Sequence, residues 1–172
     1  MPVLATMGIK AFYYAPVSTT DPKVMPTTGW KKVDVYQDTC TFVDKDPTIT
    51  VHKSETSSKK IVQKTREGSE LKLSIMDPSI DELVAFEGGT KTTTGTAPNQ
   101  KNSYKEPATA KNIERAFKIL PEAGLALNIP CASVSAKKNT TYSAKGITLL
   151  DLAIEPMFEV EYSEDVTEPA TT

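Results

Sequence analysis

Apolar residues recur at every second position through much of the chain. Leu71, Leu73 and Ile75 alternate with Lys72 and Ser74, the signature of a strand with one buried face. Leu125, Leu127, Ile129 and Cys131 form a second series, continued by Val134 before a turn expected at 137–140. Leu150, Leu152 and Ile154 form a third, with Leu149 and Ala153 on the opposite face, which implies burial on both sides or contact with a partner. Ile113, Phe117 and Ile119 favour one more strand, although residues 112–120 also tolerate a helix, and Pro121 ends either. Earlier, Val33 and Val35 and then residues 39–43 read as strands up to a turn at 44–47. Ile49 and Val51 go out and Ile61 and Val62 return, as a hairpin whose polar outer part, 53–59, projects from the domain.

Helical signals are confined to one place. Pro78 suits a first turn, Ser79 and Glu82 have the spacing of a capping box, and Gly88-Gly89 supplies a stop, so one short helix is expected over 78–86. Residues 87–107, rich in Thr, Gly, Pro, Asn and Lys, read as a loop of about 20 residues, longer than the ~12 to 15 at which structureless loops become uncommon. Pro2, Pro16, Pro22 and Pro26 punctuate residues 1–29, which read as an extended arm, because proline cannot donate to a central strand. Its Phe12, Tyr13 and Tyr14 make it more apolar than a disordered tail, so it packs on something.

Composition strengthens the β reading. Threonine occurs 23 times among 172 residues, and β-branched side chains favour pleated strands. The expected fold class is therefore mainly β: an antiparallel β-sandwich or barrel with one short flanking helix, a projecting hairpin and a long loop. At 38% hydrophobic, the chain supports one modest core. The net charge of −2 argues against a dedicated nucleic-acid binder, whose domains run above a pI of ~9. No stretch reaches the ~20 consecutive apolar residues of a membrane-spanning helix, and the opening residues lack the basic section and apolar run of a secretory signal. Charge is segregated: residues 151–172 carry seven acids and no Lys or Arg, whereas 53–72 hold six basic and three acidic residues, and 91–118 six and two. An acidic run is most simply a solvated tail; the alternative is complementarity between copies.

Reactive constellations are hard to assemble from these residues. With His52 as the sole histidine and two distant cysteines, Cys40 and Cys131, no transition-metal spacing exists, and the expectation is no metal and no cofactor. Both thiols are expected to be buried, reduced and inert. Gly88-Gly89-Thr90-Lys91 lacks the glycine before lysine that a phosphate loop requires. Asp44 and Asp46 lack the glycine and distal glutamate of a calcium loop. His52, on a projecting polar hairpin, is poorly placed as a catalytic base. No pair of carboxylates is singled out for glycosidase chemistry, and an enzyme is not expected.

The order of features carries more than any motif: a proline-rich arm, strands from Gly29-Trp30-Lys31-Lys32-Val33 through 38–42, a polar projecting hairpin, Glu70-Leu71-Lys72-Leu73-Ser74-Ile75-Met76 feeding a short helix at 78–86, then alternating strands including 123–130. Over about residues 3–158 this order resembles the tail tube, or major tail, proteins of tailed bacteriophages. The resemblance implies a division into an arm at 1–29, a tail-tube-like β domain at 30–160 and an acidic tail at 161–172. It further implies a structural virion protein whose hexameric rings stack into a DNA-conducting tube, made in the host cytoplasm and located in the virion tail. Its implied partners are other copies, tape-measure and tail terminator proteins, and DNA only in transit. In that arrangement the arm reaches a neighbouring subunit. The hairpin around 53–60 and the loop 87–107 become stacking elements, with Lys53, Glu55, Lys59, Lys60, Lys91, Lys101 and Tyr104 as their contact residues. Acidic walls suit such a lumen, because a basic wall would hold DNA by releasing counterions. Two alternatives are a β-sandwich module that binds carbohydrate, weakened by a single Trp, and the tube protein of a contractile injection system.

Overall fold

The computed structural model describes residues 6–171; residues 1–5 of the expected arm and residue 172 of the expected tail lie outside the described residues. Twelve strands and one helix are present in it: β1 (Ala11–Ala15), β2 (Lys31–Val33), β3 (Thr41–Asp44), β4 (Thr48–Lys53), β5 (Lys60–Thr65), β6 (Ser69–Met76), α1 (Ile80–Glu87), β7 (Thr90–Thr94), β8 (Lys101–Lys105), β9 (Ile113–Leu120), β10 (Ala126–Thr140), β11 (Thr148–Pro156) and β12 (Glu161–Ser163). Eight strands form one antiparallel sheet in the order β2-β1-β9-β10-β11-β6-β3, with β12 beside the start of β10.

The sheet closes on itself. Beyond β2 the chain runs on to Val35, which pairs with Ile75 of β6; the Tyr36 amide donates to the Ser74 carbonyl at 2.8 Å and the Met76 amide to the Asp34 carbonyl at 3.0 Å. Residues 31–44 thus pair first with β1 and then, through Val35 and β3, with β6. Where this strand breaks, Asp38 turns through φ 58° and the Thr39 hydroxyl takes over, accepting from the Ser74 amide at 3.1 Å and donating to the Tyr36 carbonyl at 2.7 Å. Closure leaves the inner face of every barrel strand to form one core. Phe12, Tyr14, Leu71, Leu73, Ile75, Phe117, Ile129, Leu150, Leu152 and Ile154 meet there, each contributing about 1.5–3 kcal/mol on full burial if its size is typical.

The expected alternation holds in β6 and β11 but not in β10, where residues 126–132 are all buried and the core-facing series passes from Leu127 and Ile129 to Ala132 and Val134, leaving Cys131 outside that cluster. In β6 it is strict, with Leu71, Leu73 and Ile75 buried and Lys72 exposed. On β10, Pro130 lies where the register with β9 shifts between Ile129 and Ala132, so the missing amide falls in a bulge and not in the ladder. That strand runs to Thr140, through the turn expected at 137–140, because β11 pairs with it as far as Thr148. The caps are those expected, Ser79 and Glu82 in a reciprocal capping box and Gly88 in the left-handed region at φ 79°, but with Ser79 as N-cap the helix runs over 80–87 and Pro78 precedes it instead of lying in its first turn. Phe86 is its one buried residue, packed 4.7 Å from Tyr14 and 6.4 Å from Phe117, ring centre to ring centre.

Two segments differ from expectation. Residues 11–15, read as part of an arm, form β1, a fully buried inner strand between β2 and β9. Phe12 and Tyr14 face the barrel interior, while Ala11, Tyr13 and Ala15 join Trp30, Ala116, Leu120 and Ala126 in a second cluster on the outside. Burial on both faces erases the period-two signal. Secondly, the expected loop 87–107 contains the hairpin β7–β8, with five residues paired on each side. Its Thr and Lys side chains are polar on both faces, so no apolar period marks it.

Met25 packs against the outer cluster, and residues 168–171 run beside it. Trp30 donates from Nε1 to the Pro26 carbonyl at 3.0 Å, and its backbone pairs in parallel with Thr171. Lys10 pairs with Glu168 at 3.4 Å. The Lys10 ammonium first, and the Tyr13 hydroxyl second, hold the Glu168 carboxyl below its ordinary range. Part of the acidic run is therefore paired within the chain: Glu168 with Lys10, and Glu155 with Lys45 at 2.6 Å.

Candidate functional site

β4 and β5 form a two-stranded sheet of their own, hydrogen-bonded to no barrel strand, and all twelve of their residues are exposed. Antiparallel partners share a face and faces alternate along each strand. The pairs Ile49 with Lys64, Val51 with Val62 and Lys53 with Lys60 therefore line one face, and Thr50 with Gln63 and His52 with Ile61 the other. The first face has an apolar centre, Ile49 at 56%, Val51 at 41% and Val62 at 48% exposure, edged by three lysines. Among the described residues, Lys53, Lys59, Lys60 and Lys64 make no ion pair. Glu55 and Lys59 lie in the tip, which the Ser54 amide closes by donating to the Lys59 carbonyl at 3.0 Å.

β7–β8 is likewise a separate two-stranded sheet, but it is tied down at its base. The Tyr104 hydroxyl donates to Glu87 Oε2 at 2.8 Å, and Lys138 Nζ sits 5.2 Å from the Tyr104 ring centre. Lys138 also reaches Glu87 at 3.3 Å and Glu106. Burial and the Glu87 carboxylate push the Tyr104 hydroxyl up to about 12. For Lys138, burial acts to lower the pKa, but the bonds to Glu106 and Glu87 outweigh it and raise it. Lys91 pairs with Asp81 on α1 at 2.9 Å, whereas Lys101 stands exposed near the tip. Gly89 is required where the hairpin leaves the helix, since a Cβ there would lie 2.2 Å from the Lys105 carbonyl oxygen.

The seven residues expected at contacts thus divide. Among the described residues, Lys53, Glu55, Lys59, Lys60 and Lys101 form no ion pair and lie on the hairpins, while Lys91 and Tyr104 anchor β7–β8 to the body of the same chain. The sequence pointed to projection of the polar outer part alone, whereas both strands are exposed along their whole length, so that Ile49, Val51 and Val62 face outward as well.

An open cleft of about 1000 Å³ lies between residues 156–162 and the base of β5 and β6. Pro156, Met157, Phe158, Val160 and Tyr162 line it with Glu159 and Glu161, and Lys23, Arg66, Gly68 and Ser69 form the facing wall. Tyr162 stacks edge-on to Phe42 with ring centres 6.4 Å apart, which fixes that end. Both cations are occupied within the chain: Lys23 lies 5.7 Å from the Phe158 ring centre and Arg66 pairs with Asp44 at 3.3 Å. Neither Glu159 nor Glu161 forms an ion pair among the described residues.

Reactive groups are not concentrated in any of these places. No group of three or more His, Cys, Asp or Glu that could hold a metal occurs among the described residues. Cys40 and Cys131 are free thiols; burial pushes Cys40 up to about 11, and burial with the Glu114 carboxylate raises Cys131, so neither favours the nucleophilic thiolate. No helix among the described residues is long and apolar enough to cross a membrane. The chain matches no family model, and no curated protein matches it in sequence.

Proposed function

We propose that this is a structural subunit that associates with its own copies, as stacked rings of a phage-type tail tube. The observation that carries this reading is the β4–β5 hairpin, which leaves the barrel as an independent two-stranded sheet. A lone two-stranded hairpin is marginally stable in water at best, and the β4–β5 ribbon also exposes an apolar face. Such elements gain by lying against another molecule, and contacts between unlike surfaces of identical chains generate rings or filaments. The order of features along the chain supplies the tail tube, and with it hexameric rings, a lumen that passes DNA, and tape-measure and terminator partners in the virion tail.

Negative-stain microscopy and sedimentation velocity across a concentration series test the proposal. Rings or tubes that grow with concentration are expected. Strictly monomeric behaviour at the highest attainable concentration overturns it.

A further inference from the structure

We infer that the Ile49, Val51 and Val62 face of one copy docks into the cleft at residues 156–162 of the next. This inference rests on the self-association reading above and names its two surfaces. The hairpin face presents an apolar centre with Lys53, Lys60 and Lys64 at its edge. The cleft presents the inverse, with Met157 and Tyr162 half exposed and Glu159 and Glu161 left unpaired among the described residues once Lys23 and Arg66 are spent on Phe158 and Asp44. Lysines on one side therefore meet glutamates on the other around an apolar centre, which favours this register over like-charge contacts.

The occupant is a second copy because the geometry excludes the first. Arg66 and Gly68, at the foot of the hairpin, form a wall of the chain's own cleft, yet no residue of β4 or β5 lines that cleft. The ribbon is roughly 20 Å long at six residues per strand, and none of its strand residues reaches the cleft. A surface pair that cannot meet within one chain, and whose halves differ, makes a head-to-tail contact that repeats from copy to copy. Three side chains and a few ion pairs make one such contact smaller than the roughly 1,200–2,000 Å² of a stable interface. Isolated dimers are then scarce, and assemblies appear cooperatively.

Two variants and their mixture test the pairing. V51E/V62E on the hairpin and E159K/E161K in the cleft change exposed positions, and each should retain the far-ultraviolet circular dichroism of the wild type. Each alone should raise the concentration needed for assembly by about tenfold or more, as expected when a contact loses its apolar centre or its charge match. Mixed in equal amounts, the two variants should form no rings or tubes at the wild-type assembly concentration, because each pair retains one small hairpin-to-cleft contact and nothing to extend it. Should V51E/V62E fold poorly, K53E/K60E takes its place, and combining K53E/K60E with E159K/E161K in one chain should restore assembly. If wild-type protein assembles and either single-surface variant assembles at the wild-type concentration, the docking inference falls while self-association stands. It falls likewise if the mixture assembles as the wild type does, or if the chain that combines K53E/K60E with E159K/E161K does not assemble, as when the cleft serves a different protein. A wild type that never associates overturns both.

Discussion

The two hairpins are built alike and held differently. Each is an isolated antiparallel pair outside the barrel sheet, but β7–β8 is fastened to α1 and β10 by Tyr104, Lys91 and Lys138, whereas β4–β5 has no comparable side-chain tether along its strands. Its ties are at the base, where the Lys45 amide donates to the Gly68 carbonyl at 2.9 Å and Arg66 pairs with Asp44. The difference separates two jobs. A hairpin anchored to a helix whose Phe86 reaches the core is part of the body, and its orientation follows the barrel. One that keeps its apolar face exposed and its lysines unpaired among the described residues is open to the proposed contact between copies.

The largest test of that division is F86A. Truncating this buried ring should cost about 3–5 kcal/mol in chemical denaturation. Hydrogen exchange should quicken across α1 and β7–β8 together and leave β4–β5 unchanged. Equal acceleration of both hairpins would mean that they are coupled through the barrel after all.

A smaller effect is expected at the tether itself. Y104F removes the hydrogen bond to the Glu87 carboxylate and should cost about 1.5–3 kcal/mol, the usual net worth of a bond to a charged group. It also predicts a pH dependence. The Tyr104 hydroxyl holds its proton up to about 12 in the folded protein, against 10.0 when free. Between those values the unfolded chain releases a proton that the folded chain keeps, so its contribution to stability is intact below about pH 10 and declines as the pH rises toward 12. The alkaline decline in stability should be shallower in Y104F than in the wild type; identical slopes would show that the anchor does not form in solution.

The smallest effect is expected from V51T/V62T on the free hairpin. Both positions are substantially exposed, so the monomer's stability should change by no more than about 0.5 kcal/mol in either direction. A loss several times larger would place β4–β5 against its own barrel and erase the contrast.

Much of this arrangement was legible wherever a segment buries one face and wets the other. Leu71, Leu73 and Ile75 alternate with polar neighbours, so β6 could be read directly, and Ser79, Glu82 and Gly88 state the ends of α1 in local chemistry. The outward course of β4 and β5 was also legible, since residues 53–59 are too polar for a core. Their pairing in register, which places Val51 opposite Val62 and gathers three apolar side chains on one face, required the coordinates.

Strand alternation, helix caps and polar projections are local properties, and the amino-acid sequence by itself determined them. Tertiary structure alone decided that Ala11–Ala15 is an inner strand, that the Thr-rich segment 87–107 is a ribbon anchored by Tyr104, that Val35 closes the barrel on Ile75, and that residues 161–171 return to Trp30 and the start of β10. Each of these depends on a partner far away in the chain, and a segment buried or wetted on both faces carries no periodicity to announce it.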